Sequence, residues 1–438
     1  MNRIPLPYPE INNPKRHLDS SEAESRRLFP YYAGFSAAFV ESTLASIKLS
    51  KEAVILDPWN GSGTTTSTAF QKGFTAIGSD LNPAMILVAK AGFVSRLDID
   101  SLVPLAHSIV DTMSFVWEPI DHEPLSNWFS DKSARLLREI ETRINQTLVS
   151  HSTYLPLDSA ESLEKLTPLA AFFYLALFRV TRRLTQEFVA SNPTWIKVPK
   201  DDSSKKKLTD TQAINLFLKE VEILRDQHHF ISSSDFDAER IKLKLSNAEN
   251  LPLEKASVDG VITSPPYCTR IDYAVATYVE LAVLRIGGER FSQLRRSLTG
   301  SSTVGKTSGE IKLEWGDECS DFLNALKNHP SKASGTYYFK NHVQYFDSLY
   351  KSLSETSRVL KPSAPCVLVV QNSYYKEIRN DIAKIICQMS ESLSLKPTHR
   401  ADFNATRSMV DLNKNSKKYI GKRSTIESVL FFEKATLT

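Results

Sequence analysis

The sequence predicts an α/β fold, a mostly parallel sheet interrupted after its second strand by a largely helical insertion. "AVIL" at 53–56 is a short, wholly apolar run that stops at Asp57, the pattern of a strand buried on both faces. A glycine-bearing turn follows, then a threonine-rich helix start, then a second such run, "FTAIGSD" (74–80), which completes a strand–helix–strand unit. No glycine occurs between Gly92 and Gly260, and 93–243 is mostly helical in pattern, which suits inserted helices better than a second sheet.

Taken in order, the chain to about residue 30 reads as an extended arm broken by Pro5, Pro7, Pro9 and Pro14. "AAFVESTLASIKL" (37–49) has helical spacing, and the helix after the glycine turn starts at Thr64–Thr66. Within the insertion, "DKSARLLREIETRI" (131–144) and "PLAAFFYLALFRVTRRLTQEFV" (168–189) are helices, while "PKDDSSKKKLTD" (199–210) is a solvated loop. Strand patterning returns at 241–253 and 258–264. The stretch 286–317 reads as loop-rich, and "QYFDSLYKSLSETSRVLKP" (344–362) is an amphipathic helix ending before Pro362. Apolar strands close the chain at 365–373 and 428–434. These boundaries divide it into 1–92 (arm and first half of the core), the insertion 93–243, and 244–438 (second half of the core).

Composition removes several classes. At 438 residues, with 41% hydrophobic and 24% charged residues, the chain is an ordinary globular one rather than a disordered one. No run approaches the roughly 20 apolar residues of a membrane span, Arg179, Arg182 and Arg183 interrupt the most apolar helix, and the N-terminus lacks a secretory apolar run. A cytoplasmic protein with no membrane partner is expected. Cys268, Cys319, Cys366 and Cys387 lie far apart without a CxxC pair, so neither a disulfide framework nor a metal centre is expected. His228–His229 has no partner at metal-ligand spacing and reads as surface. The net charge of +4 permits a polyanionic partner without requiring one.

Two short stretches carry chemistry. "DPWNGSG" (57–63) is a tight turn at a strand end, where Gly61 and Gly63 admit backbone conformations and a close ligand approach that a β-carbon obstructs. Without GK[ST] it is no phosphate loop of the Walker type. Asp57 can accept from an amine, and Asp80, ending the second strand, stands where an acid takes both ribose hydroxyls of a nucleoside. "VITSPPY" (261–267) ends a buried strand on two prolines and a ring. Prolines donate no backbone hydrogen bond, so their carbonyls are expected to face outward unpaired. Ser264 and the Pro265 carbonyl can then accept from an amine while Tyr267 stacks on the planar group that bears it.

"DPWNGSGTT" together with "TSPPY" resembles the amino-methylating DNA methyltransferases, whose cofactor motif is D-P-F-x-G-S-G-T and whose catalytic motif is [DNS]-P-P-[YFW]. The resemblance spans about 29–92 and 244–438, and within it "FPYYAGFSAAFVESTLASI" (29–47) resembles the family's cofactor-side helix before the glycine motif. It implies a Rossmann-like methyltransferase sheet, S-adenosyl-L-methionine as cofactor and double-stranded DNA as substrate. Asp57, Gly61 and Gly63 are expected at the methionine end of the cofactor, with Pro58 and Thr64 of the same loop, and Asp80 at the ribose. Asn247 stands where an acidic residue commonly meets the adenine. Ser264, Pro265, Pro266 and Tyr267 are expected to hold the target base. The serine form is typical of enzymes acting on cytosine N4, so that amine is the leading target, and a restriction–modification role with a cognate nuclease is implied. The order, glycine motif first, departs from the commoner serine-type arrangement. The gap makes 93–243 the candidate target-recognition region. Cys268 invites a carbon-methylating route, but such enzymes set their cysteine directly after a proline, and here Tyr267 intervenes.

For DNA binding, Lys417, Lys418, Lys422 and Arg423 are the leading phosphate contacts. Arg26–Arg27, Arg182–Arg183, Lys205–Lys207 and Arg295–Arg296 are further basic clusters, each read alone as a solvated face. Trp195 beside Lys197 either stacks on a base or anchors a loop. Three alternatives stand beside cytosine N4: methylation of adenine N6, methylation of a guanine amine in RNA, and a nucleic-acid-binding module without catalysis.

Overall fold

A computed structural model describes residues 10–15, 28–30, 34–111, 122–151, 153–192, 194–228, 237–268, 271–305, 309–404 and 425–436. Seven strands form one sheet in the order β3-β2-β1-β4-β5-β9-β8. They are β1 (Val54–Asp57), β2 (Thr75–Asp80), β3 (Ile241–Leu245), β4 (Gly260–Thr263), β5 (Pro365–Gln371), β8 (Leu395–Asn404) and β9 (Ile426–Lys434), while β6 (Ser373–Tyr375) and β7 (Ile378–Asn380) make a separate hairpin. The first five in the sheet order are parallel; β9 runs antiparallel to both β5 and β8. This is the Rossmann-like methyltransferase sheet. The order reverses between β1 and β4, so a crevice opens at their carboxyl ends, where ligands bind in open α/β sheets.

Both faces of the sheet are covered, which explains the wholly apolar strands. Along β5, Val367 and Val369 belong to one core while Cys366, Leu368 and Val370 belong to the other. The first core takes α1 (Ala37–Ile47), α2 (Thr64–Gln71), α3 (Pro83–Ala91) and the helices that follow β2: α4 (Ile99–Asp111), α5 (Asp131–Asn145), α6 (Pro168–Leu184) and α7 (Asp210–Gln227). The second core takes the long helix Phe339–Val359 and the helix Ile382–Glu391. Among the described residues, the segment between β2 and β3 contains helices and no strand of either sheet.

Helix α6 is apolar all round because it is enclosed all round: Ala170 to Phe178 are buried without interruption. Its C-terminal half carries the arginines, of which Arg179 and Arg182 find buried acids while Arg183 stays exposed. Arg179 pairs with Glu220 of α7 at 2.5 Å and Arg182 with Glu280 at 2.6 Å. No described helix is long and apolar enough to cross a membrane. Arg138 of α5 binds Glu123 through two nitrogens, Glu141 at 2.9 Å, and the carbonyls of Ala282 and Val283. One buried cation thus ties an inserted helix to the helix Tyr278–Val283, beyond β4.

Three expectations change. The strand expected over 241–253 stops at Leu245, where it leaves Asp80 of β2. Within 286–317, Gly288–Ser297 is a helix, held by Phe291 stacked on Tyr278 with ring centroids 3.7 Å apart. His228 is buried, not on the surface, with Nε2 2.7 Å from the Ala91 carbonyl. The four cysteines are free.

Candidate active site

The loop between β1 and α2 is built by side chains that satisfy its backbone. Asp80 accepts from the Gly61 amide at 2.9 Å and the Asn82 amide at 2.8 Å, so the acid ending β2 clamps the turn ending β1. Asn60 accepts from Thr66 Oγ1 at 2.9 Å and lies flat on β2, where a β-carbon at Gly78 would come within 2.5 Å of it. Gly63 has φ +87°, and a β-carbon there would stand 2.9 Å from Ala89 of α3. Asp57 accepts from the Thr263 hydroxyl at 2.5 Å and the Trp59 amide at 3.1 Å, fastening β1 to the end of β4.

These strand ends open on one cavity, and both sequence motifs line it. Asp57, Pro58, Gly61, Thr64, Asp80 and Asn247 form part of its wall, and Ser264, Pro265, Pro266 and Tyr267 form another. Gly63 is absent from the wall; its constraint is the packing of α2 against α3. Lys417, Lys418, Lys422, Arg423, Arg26 and Arg27 lie outside the described residues.

Burial acts on the acids. Asp57 is held up at about 6 by desolvation, against hydrogen bonds from Thr263 and Thr65 that pull it down. Asp80 is also held up at about 6 by desolvation, against the backbone bonds of Asn82 and Gly61. Two polar atoms of the wall, Asn60 Nδ2 and Ser246 Oγ, are buried with no partner among the described residues. Buried orphans of this kind are costly unless a ligand meets them.

At the proline corner, Ser264 Oγ donates to the Val369 carbonyl of β5 at 2.9 Å. Its proton is committed there, and only lone pairs remain for the cavity. The expectation of two bare proline carbonyls is half corrected: the Pro266 carbonyl accepts from the Tyr345 hydroxyl at 2.9 Å, while none of the hydrogen bonds among described residues falls on that of Pro265. Tyr267 is 7% exposed, and its hydroxyl donates to Glu427 at 2.6 Å. Cys268 has its thiol pushed up to about 12 by burial, which keeps it protonated and unsuited to nucleophilic attack.

The sequence missed several wall residues. Phe29, Pro30 and Phe35 come from the segment before α1, Arg182 and Thr194 from the insertion, and Tyr273 and Thr277 from beyond β4. The resemblance of 29–47 to a cofactor-side helix pointed to the first group without singling out its residues. Arg182 had none, because nothing local distinguishes a cavity arginine from a helix-end one. The other described basic clusters are largely neutralised. Lys205 pairs with Asp202, Lys206 with Glu187, Arg295 with Asp272 and Arg296 with Glu289.

No family model matches the chain. It is 24% identical over 411 residues to the type II methyltransferase M.BsoBI of Geobacillus stearothermophilus, covering 84% of this chain and 78% of that protein. The identity is also 24%, over 405 residues and the same shares, with the type II methyltransferase M.AvaI of Nostoc sp. (strain PCC 7120). The chain is a relative of these type II methyltransferases. Among solved structures it is similar at TM-score 0.33 and 9% identity to a geranyl diphosphate methyltransferase in complex with GPP and sinefungin, over 91% of this chain and 79% of that one. A TM-score of 0.30 and 12% identity relate it to the rRNA methyltransferase aviRa of Streptomyces viridochromogenes, over 96% and 94%.

Proposed function

We propose that this methyltransferase relative is an S-adenosylmethionine-dependent DNA methyltransferase that modifies an exocyclic base amine, with cytosine N4 as its target. The observation that carries the reading is the hydrogen bonding of Ser264. With its proton given to Val369, the hydroxyl offers the cavity acceptor capacity alone, which is what an NH2 group requires.

The wall residues fit the cofactor. Asp80 faces the ribose hydroxyls, Asp57 and the Gly61 turn take the amino-acid end, and the orphaned Ser246 hydroxyl beside Asn247 meets the adenine side. Pro58 and Thr64 complete that half of the site. The bound cofactor supplies an electrophilic methyl group on a sulfonium, so no covalent enzyme intermediate is required.

Ser264 Oγ and the Pro265 carbonyl accept hydrogen bonds from the two amine N–H groups, turning the nitrogen lone pair out of conjugation with the ring and toward the methyl group, and the one proton displaced on methylation leaves to solvent. Tyr267 stacks on the base, and Pro265–Pro266 fix the backbone that carries all three groups. Positioning and preorganised acceptors supply most of the rate. A base within a duplex cannot reach the cavity, so it is flipped out, at a cost of a few kcal/mol.

The insertion 93–243 is the target-recognition region in this reading. Support comes from Arg182 and Thr194 in the cavity wall and from Trp195, 37% exposed beside them, with Arg295 5.6 Å from its ring. Lys417, Lys418, Lys422 and Arg423 remain phosphate-contact candidates. Similarity to type II methyltransferases supports a restriction–modification role; a cognate nuclease and a cytoplasmic location belong to the same proposal.

Incubation with labelled cofactor and unmethylated bacterial DNA, followed by nucleoside analysis, tests the reading. Label in N4-methylcytosine is expected. Label in N6-methyladenine refutes the choice of base, and label only in RNA or nowhere refutes the function.

A further inference from the structure

The double proline fixes the backbone of the catalytic corner, but it does not fix the ring of Tyr267, which retains rotation about two side-chain bonds. The far end of that ring is held by an acid outside both sequence motifs. Glu427, near the start of β9, is 1% exposed, and its Oε1 accepts from the Tyr267 hydroxyl at 2.6 Å. Its other oxygen, Oε2, has no partner among the described residues. Glu427 pairs in register with Gln371 of β5, the strand whose Val369 carbonyl holds Ser264. The same two strands therefore orient both side chains of the corner.

The charge on Glu427 is met by the N-terminal arm. Lys15 Nζ stands 3.5 Å from Glu427 Oε1 and 5.5 Å from the Tyr267 ring centroid. The arm is docked on α1: Asn12 binds the Ser42 hydroxyl and the Ala38 carbonyl, and the Pro14 carbonyl accepts from the Ser36 amide. A buried carboxylate costs several kcal/mol unless paired. Here it has one hydroxyl and one half-exposed lysine, both belonging to a single cluster around the tyrosine.

We propose that Glu427 is a positioning residue for methyl transfer, holding the Tyr267 ring in its stacking plane, and that Lys15 neutralises it and so couples docking of the arm to the catalytic corner. The inference rests on the function proposed above. Neither residue touches the base; each acts through the ring. Loosening the ring lets the amine drift from the methyl group, and a misplacement of about 1 Å costs on the order of a hundredfold in rate.

The experiment measures single-turnover methyl transfer to unmethylated bacterial DNA, cofactor affinity and thermal melting for six variants beside the wild type. Glu427→Ala should lower the rate roughly 10- to 100-fold with cofactor affinity unchanged. Tyr267→Phe removes the same hydrogen bond together with the contact of its hydroxyl to Ser264, so it should be at least as slow, and the double variant should be no slower than Tyr267→Phe alone. Glu427→Gln should return to within about threefold of wild type, since its amide oxygen accepts the same bond. Lys15→Met should slow transfer in the wild-type background and have no effect in the Glu427→Gln background, where no charge needs neutralising.

Wild-type rates in Glu427→Ala overturn the proposal, as do losses that multiply in the double variant or a Glu427→Gln as slow as the alanine. Should the alanine fail to fold, the Tyr267→Phe rate and the Lys15→Met comparison in the two backgrounds decide it. A wild-type protein that binds cofactor but methylates no DNA brings down the functional reading and this proposal together; an active wild type with indifferent variants brings down this proposal alone.

Discussion

Acidification from pH 7.5 to 5 should weaken cofactor binding while leaving the free protein folded. Asp57 and Asp80 are held up at about 6 by burial at the ends of β1 and β2. In the proposed complex both act ionised, one toward an amine and one toward ribose hydroxyls. At pH 5, one unit below that value, each required carboxylate must first lose a proton, which weakens affinity about tenfold per group. Two such groups give about a hundredfold, and above pH 7 the affinity should be flat.

The stability effect runs the other way, which separates it from denaturation. An acid whose folded pKa exceeds its unfolded value of 3.8 disfavours the folded state once both forms ionise. Stability from each acid is therefore present at low pH and lost as pH rises from about 4 to about 6, to the extent of about 3 kcal/mol per group at most. Calorimetric titration with S-adenosylhomocysteine across pH 5 to 8, beside thermal melts of the free protein, measures both. Asp80→Asn should weaken binding at pH 7.5 and remove about one decade of the pH dependence. Affinity that is constant or stronger at pH 5 would refute the assignment of these acids to the cofactor.

Ser264→Ala should reduce methyl transfer by about 100-fold with cofactor affinity unchanged, measured by single turnover; intact turnover would remove Ser264 from the amine. Arg138→Met should destabilise the protein by about 3–5 kcal/mol in urea melts, because it leaves Glu123 without its cation and the fully buried Glu141 with only the longer cationic contact to Arg285 at 3.3 Å. Trp195→Ala should weaken duplex binding by about tenfold in a filter or anisotropy assay while cofactor affinity is retained; unchanged DNA affinity would make that residue a loop anchor.

Much of the site was legible because its parts are local. Asp57, Gly61 and Asp80 sit at strand ends that the apolar runs 53–56 and 74–80 announce, and Ser264 to Tyr267 end a strand of the same kind. The Pro266 carbonyl was misread, and the packing constraint on Gly63 was not foreseen, for one reason: Tyr345 and Ala89, which decide them, are distant in sequence. The helix Gly288–Ser297 was missed because Phe291 depends on Tyr278 for its burial rather than on any periodicity of its own. His228 looked like surface because an adjacent histidine pair carries no burial signal, and only the Ala91 carbonyl accounts for it.

The sequence by itself determined the strand ends, the turn chemistry and the residue types that can grip an amine, since these follow from apolar runs, glycine and proline geometry and side-chain donors read one stretch at a time. Tertiary structure alone decided which groups are free to act. Whether Ser264 donates or accepts, whether Asp57 holds its proton near neutrality, and what steadies Tyr267 all depend on desolvation and on partners such as Val369, Thr263 and Glu427. Those partners are brought in by strand pairing across the sheet, and no local pattern encodes that pairing.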